Sequence, residues 1–254
     1  MSLATFRKER LNESTVVKLQ TQPPSVFDGS IYLSNQLIRD FGAAERYRVL
    51  RAQLERANRQ THRYRAIAVT SALSGEGKST IAVNLARMLS AHPLGRTLLI
   101  DGDLRRPTLH SFFRVSRGPG VSDVLTGRVS IYESLVSITP WLDLLPAGTP
   151  GSDPSELMER PAFADLLNFA RLEYRYTIID SPPVAICAEP IAISSLADTS
   201  LFVVRGWHTH RAVIKDAIEL IGRSKILGVV MNETNEPGNH YRHHGGYWNP
   251  SERP

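Results

Sequence analysis

The chain has 254 residues, 42% of them hydrophobic, with 30 Lys and Arg against 25 Asp and Glu for a formal net charge of +5. That is enough apolar content for one large α/β core, and the lack of any apolar run of about 20 residues argues against a helical membrane span and for a soluble chain. A single cysteine, Cys187, excludes an intramolecular disulfide, and with no secretory apolar segment at the start the expectation is a reducing, cytoplasmic setting.

In chain order, residues 1–40 are polar and weakly patterned, with Gln22-Pro23-Pro24 and Asp28-Gly29 as turn signals, and read as a flexible arm. From Phe41 to about Arg59 a helix is expected, because Tyr47, Leu50 and Leu54 recur at three and four while arginines fill other positions. Glu45, Arg48 and Arg51 lie along one side of it; on the residues alone they form a solvated basic face with a local ion pair.

Residues Ala66 to Ser71 form a short apolar run expected to be a buried parallel strand. The turn Ala72-Leu73-Ser74-Gly75-Glu76-Gly77 follows, and Lys78, Ser79 and Thr80 open an amphipathic helix reaching about Ala91. Strand, glycine loop and helix in that order make a phosphate-loop reading credible, although Ala72 replaces the first glycine of G-x-x-x-x-G-K-[ST]. Loop N–H groups and the positive helix end would face phosphates, Lys78 would supply a mobile charge, and the Ser79 hydroxyl would reach Mg²⁺.

A second strand, Thr97 to Ile100, runs into Asp101-Gly102-Asp103-Leu104-Arg105-Arg106. Carboxylates at the carboxyl end of a parallel strand lie where α/β sheets bind ligands, and two acids followed by two arginines suit Mg²⁺ and phosphate chemistry. Gly120 to Gly127 reads as a short helix, Leu142 to Leu145 as a third strand, and Asp153-Pro154 as the cap and first position of a helix to about Arg171, with a break near Pro161.

Tyr176 to Asp180 is the fourth strand, its terminal acid placed to hold a Mg²⁺ shell. Strands at Leu201–Arg205 and Ile226–Asn232 enclose a helix from about Thr209, as N-cap, to Ser224. This alternation argues for a doubly wound, mostly parallel sheet with helices on both faces. From Glu233 onward the chain is rich in Gly, Pro, Asn and His with no apolar period, and reads as flexible; His240, His243 and His244 lack the acid or cysteine company expected of a metal site.

The stretches AVTSALSGEGKSTIAVNLA, LLIDGDLRRPTLH, GVSDVLTG, LLPAGTPGSDPSELM and YTIIDSPPV, in this order, resemble the bacterial tyrosine kinase (BY-kinase) family, the cytoplasmic autokinases of capsular and exopolysaccharide synthesis. The resemblance covers about residues 45–232. It implies a P-loop fold of the MinD/ParA-like type, with Walker A at the first loop, Walker A′ at the paired acids and Walker B at Asp180. The loop lacks the early second lysine of MinD/ParA relatives, which favours the kinase branch. The resemblance further implies ATP and Mg²⁺, nucleotide contacts from Ser74 through Thr80 and from Asn232 (adenine), and metal contacts from Ser79, Asp101 and Asp180.

Catalysis then falls to Lys78, Asp101, Asp103 and Asp180, with Asp101 or Asp103 orienting or deprotonating a tyrosine. Glu45, Arg48 and Arg51 match the family's E-x-x-R-x-x-R element, which joins subunits into a ring. Tyr241 and Tyr247 stand where the family has a tyrosine cluster, although only two are present and they are widely spaced. Residues 41–236 then form the kinase domain and 237–254 the acceptor tail. A separate transmembrane activator, a polysaccharide co-polymerase, and a protein tyrosine substrate are the implied partners, with the kinase peripheral to the inner membrane face and no nucleic acid expected. A nucleotide-switched ATPase or interaction module of polysaccharide export, with little tyrosine transfer, is the competing reading. A DNA- or membrane-bound partitioning ATPase is disfavoured by the missing loop lysine.

Overall fold

Short, nearly continuous apolar runs give strands that are buried on both faces of one sheet. The structure, a computed structural model, describes residues 17–19, 41–61, 64–91, 95–151 and 153–232. Its elements are β1 (Val17–Leu19), α1 (Phe41–Thr61), β2 (Ala66–Ser71), α2 (Lys78–Ser90), β3 (Thr97–Asp101), α3 (Leu109–Phe113), α4 (Val121–Leu125) and α5 (Ile131–Ser134). There follow β4 (Val136–Thr139), β5 (Leu142–Leu145), α6 (Pro154–Glu159), α7 (Pro161–Glu173), β6 (Tyr176–Asp180), α8 (Glu189–Leu196), β7 (Thr199–Arg205), α9 (Arg211–Ile221) and β8 (Ile226–Asn232). Among the described residues no helix is long and apolar enough to cross a membrane.

The strand order is β1-β8-β7-β2-β6-β3-β5-β4, all pairs parallel except β4 with β5. Ile67 and Val69 of β2, Leu99 of β3 and Ile178 of β6 point to one face, where α1 and α2 cover them through Tyr47, Leu50, Leu54, Ile81 and Leu85. Ala68, Leu98, Ile100 and Ile179 point to the other, against Phe163, Leu166 and Leu167 of α7 and Ile193 of α8. Each such Leu, Ile or Phe removed from water contributes about 1.5–3 kcal/mol, so the two layers fix β2, β3 and β6 side by side. After β2 the chain steps past β6 to β3 on one side, while β7 and β8 lie on the other. Order therefore reverses at the carboxyl end of β2, where such sheets open a ligand crevice.

Several expectations need correction in detail. The break expected near Pro161 is present and divides the helix from Pro154 in two, because Pro161 forces Arg160 into extended backbone at ψ 145°. Thr209 is not the cap of α9; that helix begins at Arg211 and stops at Ile221, where Gly222 takes φ 90°. The edge strand β4 and the short helices α3, α5 and α8 were not anticipated. Val17–Leu19 of the expected arm form the edge strand beside β8, and the rest of residues 1–40 lies outside the described residues.

Candidate active site

The loop between β2 and α2 is shaped by two left-handed glycines, Gly75 at φ 80° and Gly77 at φ 91°. At Gly77 a Cβ would stand 2.0 Å from the Asn232 amide nitrogen, so glycine is required on space as well as on φ. That nitrogen donates to the Glu76 carbonyl at 2.9 Å, which ties the end of β8 to the loop. The Glu76 side chain is turned inward. Its carboxylate accepts the Leu73 N–H at 2.7 Å, the Arg205 N–H at 3.2 Å and the Thr209 hydroxyl at 2.5 Å. Thr209, read from sequence as a helix cap, is thus a loop brace. Ala72 sits where the motif has glycine; its φ is not positive and it is fully buried with Val184 and Phe202, so a methyl is accommodated.

The acids are placed by strand register. Asp101 and Asp180 are paired neighbours at the ends of β3 and β6, and both are fully buried. Gly102 allows this approach: its N–H donates to the Asp180 carbonyl at 2.8 Å, and a Cβ there would meet that oxygen at 2.7 Å. Asp101 Oδ2 accepts the Leu109 N–H at the start of α3 (3.0 Å), while Oδ1 and both oxygens of Asp180 are buried without a hydrogen-bond partner. Burial and the neighbouring Asp180 charge push the Asp101 carboxyl well above the usual range. Burial lifts Asp180 to about 6, opposed by the Lys78 charge and the Ser79 hydroxyl. Asp103 Oδ2 stands 3.5 Å from Lys78 Nζ, and its Oδ1 accepts the Arg106 N–H at 3.0 Å.

These groups border a cleft of about 600 Å³. Ser74, Gly75, Gly77, Lys78, Ser79, Thr80, Asp103 and Asn232 line it, so the sequence-expected nucleotide residues converge. Glu76, Asp101 and Asp180 are not among the lining residues. Arg105, Arg106, Thr108, Phe112, Pro182, Pro183, Ile186 and Cys187 complete the wall. Of these, Arg105 and Phe112 carried no specific role in the sequence reading; only the two arginines after the acids hinted at the first.

The donor set fits Mg²⁺ better than a softer ion. Among the described residues no cluster of three His, Cys, Asp or Glu has chelating geometry. A cation here would rest on one or two carboxylates, the Ser79 hydroxyl, water and phosphate oxygens, the environment Mg²⁺ accepts. The three orphaned carboxylate oxygens are what such an ion would satisfy.

Two groups of expected residues lie apart from this site. Glu45 and Arg48 pair with each other at 2.9 Å on the exposed side of α1, and Arg51 faces Glu55 at 3.9 Å. Tyr241, Tyr247 and the tail histidines lie outside the described residues.

Comparison with known proteins agrees with this geometry. Residues 67–244 match the CobQ/CobB/MinD/ParA nucleotide-binding domain family. The chain is 33% identical over 192 residues to tyrosine-protein kinase YwqD of Bacillus subtilis, covering 74% of this chain and 80% of the relative. It is 36% identical over 198 residues to the succinoglycan biosynthesis transport protein ExoP of Rhizobium meliloti, covering 72% of this chain but only 25% of ExoP. Among solved structures, the chimerical protein CapA2B2 superposes with a TM-score of 0.75 at 30% identity, over 86% of this chain and 93% of that one.

Proposed function

We propose that this chain, which belongs to the CobQ/CobB/MinD/ParA nucleotide-binding family and within it to the bacterial tyrosine-protein kinases, transfers the γ-phosphoryl group of ATP to tyrosines on the tail of a neighbouring copy, in the service of capsular or exopolysaccharide synthesis. The observation that carries the reading is the set of buried acids with unpaired oxygens beside a cleft of about 600 Å³ that Lys78 and the phosphate loop line. Lys78 and the loop N–H groups hold the β- and γ-phosphates and neutralise charge as it develops. Ser79, Asp101 and Asp180 would hold Mg²⁺, which, when bound, screens the phosphate oxygens. Asp103 is the carboxylate that lines the cleft, so it is the one a tyrosine hydroxyl reaches and the one that takes its proton. Asn232, which lines the cleft and holds the Glu76 carbonyl, would contact the adenine.

The acceptors are Tyr241 and Tyr247. Tyr47, Tyr174 and Tyr176 are at most 3% exposed, and presenting them to another subunit would need local unfolding. Tyr132, 70% exposed, is the most exposed of the described tyrosines and competes with the tail. Glu45, Arg48 and Arg51 join copies into a ring, which raises the effective concentration of each tail at its neighbour's cleft. A membrane-embedded activator holds the kinase at the inner face of the membrane; the likeness to one quarter of a transport protein supports that placement.

Mixing a Lys78→Met chain with a Tyr241→Phe/Tyr247→Phe chain tests the reading. Phosphotyrosine on the Lys78→Met chain is expected. Undiminished phosphorylation of the double-Phe protein alone would move the acceptor to Tyr132 or elsewhere. ADP release without phosphotyrosine in any mixture would favour a nucleotide-switched ATPase.

A further inference from the structure

Away from the cleft, the amino ends of the strands share a pattern that the mechanism does not use. In the order in which β8, β7, β2, β6, β3 and β5 lie side by side, the residues immediately before them are Lys225, Asp198, Arg65, Arg175, Arg96 and Trp141. Neighbouring strand starts differ by no more than one residue in register, so these six form a level row along the sheet edge. Backbone bonds tie its members together: the Arg175 N–H donates to the Arg96 carbonyl at 2.9 Å, and the Thr97 N–H to the Trp141 carbonyl at 2.8 Å. At about 4.8 Å per strand, the four places from Arg65 to Trp141 span roughly 15 Å.

The charges of this row are not spent on one another. Its single acid, Asp198, is held by Arg171, and the buried Asp143 takes the Arg96 guanidinium. Among the described residues no acid pairs with Arg65, Arg175 or Lys225. Arg65 Nη1 donates to the Arg171 carbonyl at 3.0 Å, and Arg175 lies over the Tyr176 ring at 5.6 Å. Lys225 Nζ donates to the Ser195 and Ala197 carbonyls at 2.8 and 3.1 Å, at the end of α8. These contacts hold the side chains in place and leave their positive charge unneutralised, less the charge of Glu173, which is exposed at the end of α7. Beside Glu173 and Arg171, Leu172 is 85% exposed, and Trp141 is 42% exposed. A nucleic-acid duplex offers phosphates to the cations but nothing apolar to Leu172. An anionic bilayer offers both: headgroup phosphates, and an interface in which tryptophan and leucine are favoured.

We infer that this amino-end face docks directly on the anionic headgroups of a lipid bilayer, with Arg65, Arg175 and Lys225 supplying charge and Trp141 and Leu172 entering the interface. The inference is separate from tyrosine transfer and holds equally for a nucleotide-switched ATPase. It also fixes an orientation. The phosphate loop and the paired acids lie at the opposite ends of the same strands, and the six residues of β2 set them roughly 20 Å from the lipid. The cleft then opens away from the bilayer, where nucleotide and a neighbour's tail reach it.

The test is co-sedimentation of the full chain with vesicles of phosphatidylcholine, alone or with about 30% phosphatidylglycerol. Wild type should bind the anionic vesicles at least about tenfold more tightly than the neutral ones, and should lose most of that preference at about 0.5 M salt. Arg65→Gln/Arg175→Gln should weaken binding by about tenfold, and Trp141→Ser/Leu172→Ser by a similar factor. Arg211→Gln/Lys215→Gln removes the same charge from α9, away from this face, and should change binding by less than about twofold. Unchanged melting temperature and ADP release confirm that each variant is folded. With Trp207→Phe and Trp248→Phe, Trp141 is the remaining tryptophan, and its emission should shift to the blue on the anionic vesicles. No preference for anionic vesicles, equal losses from the two charge doublets, or an unshifted Trp141 emission would each overturn the inference. Tighter binding to duplex DNA than to anionic vesicles would overturn it in favour of a nucleic-acid surface.

Discussion

The two ends of the strands treat acids in opposite ways. At the amino ends, each acid is held by an arginine and by a further donor. Asp198 accepts the Arg65 and Ala66 N–H groups, both at 2.7 Å, on one oxygen, and Arg171 Nε and Nη2 at 3.1 and 2.9 Å on the other. Asp143 is gripped by Arg96 and by the Tyr174 hydroxyl at 2.7 Å, with the Arg96 guanidinium 5.3 Å from the Tyr174 ring. Burial and the bond to Asp143 push the Tyr174 phenol up, so it stays a donor. At the carboxyl ends, Asp101 and Asp180 keep three oxygens without a partner although both are fully buried. The fold can pair an acid with a cation where it needs one for cohesion. Where it does not, the unsatisfied oxygens mark groups reserved for a ligand.

Substitutions at the two ends should therefore separate stability from turnover. The largest effect is expected from Lys78→Met, which removes the charge over the β- and γ-phosphates and the partner of Asp103: turnover should fall by about 1000-fold or more in an ADP-release assay. Retained wild-type turnover would break the site assignment. Next is Asp143→Ala, which strands Arg96 and the Tyr174 hydroxyl. It should cost about 1–3 kcal/mol by denaturant unfolding, because Arg96 is half in solvent and the Tyr174 hydroxyl is the group left buried, with nucleotide affinity in the surviving folded protein unchanged within about twofold. A comparable loss of affinity would mean that the two ends are coupled. The smallest effect on the fold is expected from Glu45→Ala with Arg48→Ala and Arg51→Ala. Stability should shift by less than about 1 kcal/mol, because the Glu45–Arg48 pair is half in solvent, while light scattering should report monomers. An unchanged oligomer would return these residues to a solvated face.

Most of the sheet was legible because its strands are short apolar runs that end in turn signals or acids: β2, β3, β5, β6, β7 and β8 all fall within a residue or two of expectation. The edge strand β4 was not, since half its residues are polar and its pairing with β5 is set by a turn rather than by pattern. Helices of four or five residues, such as α3 and α5, are too short for an apolar period. At the site, Lys78, Ser79, Asp103 and Asp180 were readable from motif and strand context. The inward turn of Glu76 onto Thr209, and the grip of Glu189 on Arg105, join residues 133 and 84 positions apart, and no local spacing encodes them. Arg51 was read as part of one charged row with Glu45, but helical drift turns it toward Glu55.

The central claim, that the carboxyl-end acids are held against stability for a ligand's sake, is most directly tested at Asp180. Its folded-state value of about 6 lies above the unfolded value near 3.8, so the native protein binds more protons between about pH 4 and 6. Stability contributed by this group is thus lost as pH rises through that window, up to about 3 kcal/mol, with Asp101 acting in the same direction. Thermal unfolding of wild type and Asp180→Asn should be followed from pH 4 to 8 without nucleotide or metal. The two proteins should coincide near pH 4. By pH 8 the variant should melt higher by about 5–10 °C, even though it has lost Mg²⁺-dependent turnover. A variant that melts lower than wild type at pH 8, or by the same margin at every pH, would contradict the account.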